Sequence, residues 1–217
     1  MIKAIIFDLD GTVADTVGAI TEALNLTLSQ LNYPLKTEQD VLSIINFGVR
    51  EFAELALPKE VSKSPEKVEQ AMRLYAQNYE KTYIHTDKTY DKIPETLERL
   101  KKDFRLGMLS NKQDEFVSAL ERRLFRKGLF EIAHGVRPGL PPKPAADVPL
   151  QFARFFGVEP HECAFVGDSF IDVETALNSN MLPVNVSWGY CDEQTLSQKG
   201  SYFIAHTPDD LVRFFCK

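Results

Sequence analysis

Cysteine is scarce in this chain: Cys163, Cys191 and Cys216 are the only three in 217 residues. They show no metal-binding spacing, and an odd number cannot all pair, so a reducing, cytoplasmic setting is expected. Long apolar runs are missing as well. No stretch approaches the length of a membrane span, and Asp8 and Asp10 interrupt the one apolar start that could open a signal peptide. Positive charge is short too: 25 Lys and Arg stand against 31 Asp and Glu, a net charge of −6. That balance argues against a broad nucleic-acid surface. It leaves room for an anionic ligand held by a few placed cations or a metal. Repeats and low-complexity tracts are absent. What remains, 44% hydrophobic and 26% charged residues, is an ordinary globular balance. The length suits one large domain, or a domain carrying a smaller inserted one. Oligomeric state is left open between monomer and dimer.

The apolar pattern changes twice along the chain. Residues 2–7 read as a short buried strand. From Asp15, a candidate N-cap, Val17, Ile20, Leu24, Leu28 and Leu31 recur at helical spacing until Pro34. Thr37 caps a second helical stretch with Val41, Ile44 and Ile45; Asn46-Phe47-Gly48 breaks it, and Arg50 to Leu57 resumes. Ser64-Pro65 opens a long helix with Val68, Met72, Tyr75, Tyr79 and Tyr83 on one face. No strand is expected between 15 and 87. Beyond that point the chain alternates. Strands are expected at Arg105–Leu109, 130–136, Cys163–Val166, 182–186 and 202–204. Helices carry Leu97 and Leu100; Val117, Leu120 and Leu124; Val148, Phe152 and Phe155; Ile171, Ala176 and Leu177; and a last one follows Thr207-Pro208. Alternation of this kind predicts the α/β class, a parallel sheet with helices on both faces. Residues 1–14 and 88–217 would build it, with 15–87 an all-helical insertion.

Polar residues gather where the predicted strands end. The first ends at Asp8 and Asp10, another at Ser110 and Asn111, and a third at Gly167-Asp168-Ser169, with Asp172 one turn on. Lys143 lies in the loop entering a helix between them. Open parallel sheets place ligands beyond the carboxyl ends of their strands, so these groups should converge. Residues i and i+2 of an extended chain point the same way, which lets Asp8 and Asp10 face one site. Three carboxylates in one place repel. A hard divalent cation relieves the repulsion, and Mg2+ suits carboxylate, water and phosphate oxygens. Gly11 permits a sharp turn with amides aimed at an anion, while Lys143 and Ser110 can hold phosphate oxygens. A carboxylate in such a site can attack phosphorus, and a second can protonate the leaving oxygen. Asp8 takes the first role; Asp10, further out toward the loop, takes the second.

Phe7-Asp8-Leu9-Asp10-Gly11-Thr12, Ser110-Asn111-Lys112, Lys143-Pro144 and Gly167-Asp168-Ser169 with Asp172 resemble, in this order, the four motifs of the haloacid dehalogenase superfamily. The chain looks most like its phosphoglycolate phosphatase-type members, over nearly its whole length, including Trp188-Gly189-Tyr190. The resemblance implies a Rossmann-like catalytic core with the insertion as a mobile cap. It implies that Asp8 is nucleophile and metal ligand, and that Asp10 is acid/base and ligates metal through its main-chain carbonyl. Ser110 and Lys143 would bind the phosphoryl group, and Asp168 would hold Mg2+ with Asp172 at or just behind the ion. The substrate would be a small phosphorylated metabolite, with phosphoglycolate the family-level expectation. Two positions depart from the pattern. Ala145-Ala146 follow Pro144 where the motif usually continues to a second proline, and Asn180 replaces a usual glycine.

Gly48-Val49-Arg50 in the insertion has two readings, a loop whose Arg50 meets an anionic leaving group or a helix break beside a surface arginine. The tyrosines at 75, 79 and 83 read as core of the insertion. His85, His134, His161 and His206 have no ligand spacing, and Arg122-Arg123 with Arg126-Lys127 read as a solvated basic face. Asn111 is grouped with the substrate-binding residues. Two rivals to hydrolysis remain: phosphoryl transfer within a sugar phosphate, as in β-phosphoglucomutase-type enzymes, and a binding module phosphorylated on Asp8 without turnover. Asp10 argues against the module and against halide displacement, and no lysine of the insertion is marked out for phosphonate cleavage through an imine.

Overall fold

The computed structural model describes residues 1–45, 48–86 and 88–216, with residues 84–86 described in their backbone alone. The expected break at Asn46-Phe47 and the His85 side chain therefore lie outside the described residues. The chain divides into two compact units, Met1–Ala14 with Thr89–Lys217, and Asp15–Lys88.

The first unit is built on a six-stranded sheet in the order β5-β4-β1-β6-β7-β8. Its strands are β1 (Ala4–Phe7), β4 (Arg105–Gln113), β5 (Ile132–Val136), β6 (Cys163–Gly167), β7 (Leu182–Val186) and β8 (Phe203–Ala205), and every pairing is parallel. The short β2 (Ala14–Asp15) and β3 (Lys88–Thr89) form a separate two-stranded sheet where the chain passes between units. All four β1 side chains are fully buried. Successive strand residues point to opposite faces, so both faces of the sheet are covered. With β2 and β3 set aside, the strand order is the doubly wound Rossmann one, whose direction reverses between β1 and β6.

The helices of this unit are α5 (Ile93–Leu100), α6 (Asp114–Leu124), α7 (Asp147–Phe156), α8 (Phe170–Asn178), α9 (Glu193–Lys199) and α10 (Pro208–Phe215). Phe152 and Phe156 of α7 sit in a core cluster with Ile6 and Phe165. Phe155, expected on that face, is half exposed and meets Phe156 edge-on, and Leu177 near the end of α8 is also half exposed. The expected α7 start at Pro144 falls three residues early, and α9 was not expected at all.

The second unit is helical: α1 (Val17–Gln30), α2 (Glu38–Leu42), α3 (Val49–Ala56) and α4 (Pro65–Thr86). Thr16, not Asp15, is the N-cap of α1, because Asp15 is taken up by β2. Thr37 caps α2 reciprocally with Asp40. α1 and α4 are tied by Asn78 Nδ2 donating to Thr27 Oγ1 at 3.0 Å and by Thr82 Oγ1 donating to the Ala19 carbonyl at 3.3 Å. Tyr75, Tyr79 and Tyr83 stack in a column along α4, with Tyr79 fully buried and Phe52 edge-on to Tyr75. No helix among the described residues is long and apolar enough to cross a membrane.

Candidate active site

The direction reversal between β1 and β6 is where the acidic residues meet. β1 keeps its pairing with β6 as far as Asp8, whose amide donates to the Val166 carbonyl at 2.8 Å. The chain then folds tightly, and the Leu9 carbonyl accepts from the amides of Thr12, Val13 and Ala14 at 3.3, 3.1 and 2.9 Å. Gly11 makes this turn at φ +80°, a region side chains rarely adopt. A Cβ there would lie 2.3 Å from Asp168 Oδ2. Asp8 is left buried at the strand end and Asp10 half-buried above it.

β4 contributes through an irregularity. Leu109 pairs with His134 and Gln113 with Val136, so β4 advances four residues while β5 advances two. The sequence suggested a strand ending at Ser110; the strand instead bulges at 110–112 and resumes. Bulges re-aim side chains, and this one presents three. Ser110 Oγ lies 3.4 Å from Asp10 Oδ2 and accepts from the Lys112 amide at 3.1 Å. Lys112 Nζ lies 2.6 Å from Asp10 Oδ1. Asn111 turns its carboxamide onto the main chain of Lys143.

Lys143 is buried, with Nζ 2.9 Å from Asp8 Oδ1 and 2.6 Å from Asp172 Oδ1. Burial alone would lower its pKa, but the Asp172 and Asp8 carboxylates outweigh that and raise it, keeping the ammonium charged. Asp172 also serves α8: its Oδ2 accepts from Ser169 N at 3.0 Å and Ser169 Oγ at 2.7 Å, a capping box. Asp168 Oδ1 accepts from Thr12 Oγ1 at 2.9 Å and Oδ2 from the Tyr190 amide at 2.7 Å. Burial pushes the Asp8 carboxyl up to about 7, helped by the charges of Asp172 and Asp10 and opposed by Lys143. Burial, then Asp172 and Asp8, raises Asp168 well above the usual carboxylate range.

Oxygens of Asp8, Asp168 and Asp172 lie within 4.8 Å of one another, all three residues buried. The Lys143 ammonium pairs with two of these three carboxylates, Asp8 and Asp172, so the cluster carries more negative than positive charge. Three buried carboxylates whose oxygens converge in a negatively charged pocket are the donor set of a hard divalent cation, so these residues fit one.

Asp8, Asp10, Ser110, Lys143, Asp168 and Asp172, expected to converge, thus stand together at the ends of β1, β4 and β6. Arg50 lies in the helical unit, exposed, with Nε 3.1 Å from Glu54 Oε1. Sequence reasoning assigned no role to five contributors. Lys112 stood inside a quoted motif but reads as a surface lysine until its partner is seen. Thr12 and Tyr190 hold Asp168 through one hydroxyl and one amide, and Trp188 Nε1 donates to the Thr12 carbonyl at 3.0 Å. Gly189 lies so close that a Cβ would be 2.2 Å from the Asp168 Cβ. A glycine between two aromatics at a strand end was the available signal.

Residues 5–186 match the haloacid dehalogenase-like hydrolase family. The chain is similar to the phosphoglycolate phosphatase of Aquifex aeolicus, 31% identical over 212 residues, covering 97% of this chain and 95% of that one. It is 32% identical over 196 residues to the phosphoglycolate phosphatase of Nitrosospira multiformis, covering 87% and 85%. Among solved structures, a provisionally named phosphoglycolate phosphatase from Lactobacillus delbrueckii subsp. bulgaricus superposes with a TM-score of 0.89 at 28% identity, covering 96% of each chain. A haloacid dehalogenase-like hydrolase from Streptococcus pneumoniae shares the fold with a TM-score of 0.88 at 23% identity, covering 99% and 98%. The chain therefore belongs to the haloacid dehalogenase-like hydrolases, among that family's phosphatases.

Proposed function

We propose that this enzyme is a Mg2+-dependent phosphomonoesterase that hydrolyses a small phosphorylated metabolite through an acyl phosphate on Asp8. Phosphoglycolate, named for its relatives, is the first candidate substrate. One observation supports this reading above the others: Asp8 is buried at a strand end, 2.9 Å from an ammonium and clustered with Asp168 and Asp172.

An Asp8 carboxylate oxygen attacks phosphorus, forming an Asp8–phosphoryl bond as the bond from phosphorus to the ester oxygen breaks. Asp10 gives its proton to that leaving oxygen. Water then attacks the phosphoryl group and Asp10 takes back a proton. The Asp8–phosphoryl bond breaks, releasing inorganic phosphate and restoring the Asp8 carboxylate. Lys143, with three N–H donors, and the Ser110 hydroxyl hold phosphoryl oxygens and stabilise the charge that develops on them. Asp8, Asp168, Asp172 and the Asp10 main-chain carbonyl would hold the Mg2+. When bound it supplies positive charge that lets the nucleophile approach an anionic phosphate. The helical unit, as cap, and Arg50 in particular, are assigned to reading the non-phosphoryl end of the substrate. The three cysteines are unpaired, in keeping with a cytoplasmic enzyme.

The test is turnover of p-nitrophenyl phosphate and phosphoglycolate with Mg2+ and with EDTA. Multiple turnovers abolished by EDTA are expected, and Asp8→Asn should lose on the order of 10³-fold or more in kcat. Wild-type rates from purified Asp8→Asn protein would refute the proposal.

A further inference from the structure

We propose that Asn111 is a positioning residue for Lys143. It grips the main chain of that lysine so that its ammonium stays aimed at the phosphoryl pocket, and it makes no contact with substrate. This rests on the phosphatase reading of the pocket. The carboxamide offers one acceptor oxygen and one donor nitrogen, and both meet the same residue 32 positions along. Asn111 Oδ1 accepts from the Lys143 amide at 2.8 Å, and Asn111 Nδ2 donates to the Lys143 carbonyl at 3.0 Å.

Lys143 needs such a grip. Residues 137–142, Arg-Pro-Gly-Leu-Pro-Pro, form no helix or strand, and Ala145-Ala146 follow before α7 begins at Asp147. A lysine ammonium sits on four flexible carbons, so its location is only as precise as its own backbone. The pair of hydrogen bonds ties that backbone to the bulge of β4. The next carbonyl, of Pro144, is tied to α8 by Asn178 Nδ2 at 2.9 Å. The loop is thus held from two sides, and Nζ reaches Asp8 and Asp172 together. The bulge that presents Ser110 to the phosphoryl group therefore also sets the position of the lysine opposite.

A double-mutant cycle tests this on the full-length enzyme with Mg2+. The readouts are kcat/KM for p-nitrophenyl phosphate and the inhibition constant for inorganic phosphate. Asn111→Ala is expected to weaken phosphate inhibition and lower kcat/KM by roughly 10- to 100-fold, the scale of a displacement of about 1 Å. On a Lys143→Ala background the same substitution is expected to cost nothing further. An equal loss on both backgrounds would overturn the proposal, since Asn111 would then act independently of the lysine. So would an Asn111→Ala enzyme with wild-type phosphate inhibition. Asn111→Asp, similar in shape and keeping only the acceptor, carries the same cycle if Asn111→Ala does not fold. Lys143→Ala measured alone separates the two claims, because wild-type phosphate inhibition in that variant refutes the phosphatase reading itself.

Discussion

Asp168 shows how much of this site is made by its neighbours. Its two oxygens take one hydrogen bond each, from Thr12 and from the Tyr190 amide. Each oxygen keeps a second lone pair for a cation. Gly11 and Gly189 bring backbone against it where a Cβ would collide, at 2.3 Å from Oδ2 and 2.2 Å from Cβ respectively. Gly189→Ala is therefore expected to push Asp168 out of place and weaken Mg2+ binding about 10- to 100-fold, the usual scale for losing support behind a ligand. Titration calorimetry with Mg2+ alone reads this without any substrate, and unchanged affinity would contradict it. Asp8 and Asp168 were legible in the sequence because each follows a buried apolar run, and Asp10 and Asp172 because they stand close behind them. Their supports were harder to read: Gly189 between two aromatics was a signal, but the main-chain amide by which Tyr190 holds Asp168 leaves no chemical mark in a sequence.

At the scale of elements, strands were easier to read than helix faces and ends. β1 and β6 are continuous apolar runs buried on both sides, so their type and limits follow from composition. β4 was read two to four residues short, because its bulge contains Ser110, Asn111 and Lys112, which look like a turn until β5 is seen pairing beyond them. α7 was given the wrong inward residue: Phe155 and Phe156 are chemically alike, and only packing decides that Phe156 is buried. α9 escaped notice because Leu196 is its one buried residue, so no apolar period exists to be found. α3 shows how little the sequence of the helical unit says about substrate. Arg50, in its first turn, is half exposed and paired with Glu54, a contact that by itself stabilises little. If Arg50 meets the acidic end of the substrate, Arg50→Ala should raise KM for phosphoglycolate several-fold and leave KM for p-nitrophenyl phosphate unchanged. Parallel kinetics on the two substrates check this; an equal change in both, or in neither, would leave Arg50 a surface residue.

For the whole molecule, the acidic pocket exacts a stability cost that depends on pH. Without metal, burial holds the Asp8 carboxyl at about 7 and Asp168 well above the usual range. In the unfolded chain both titrate near 4. Between those values the folded protein binds more protons than the unfolded one, so stability falls as pH rises. The favourable contribution is complete below about 4 and is lost as pH passes through about 7 for Asp8. Metal-free wild type is therefore expected to lose stability relative to Asp8→Asn between about pH 5 and pH 8, and Mg2+ at the upper pH should recover it. Denaturant titrations of both proteins, with and without Mg2+, measure the difference. A gap that does not change with pH would mean that Asp8 is ionised in the folded protein without a cation. The division of the chain at Asp15 and Lys88 was legible because helical spacing begins and alternation resumes near those residues. The parallel sheet was legible from that alternation, whereas the order of its strands is fixed by tertiary pairing that alternation does not specify.

The central claim is that Asp8 carries the phosphoryl group, and chemical trapping tests it most directly. Enzyme mixed with substrate and Mg2+ is quenched within a turnover and treated with borohydride, which reduces an acyl phosphate to an alcohol. The peptide containing Asp8 is then read by mass spectrometry. Reduction at Asp8 alone, dependent on both substrate and Mg2+, is the predicted result. Turnover with the trapped group on another residue would contradict the account, as would turnover in which Asp8 stays unmodified at every quench time.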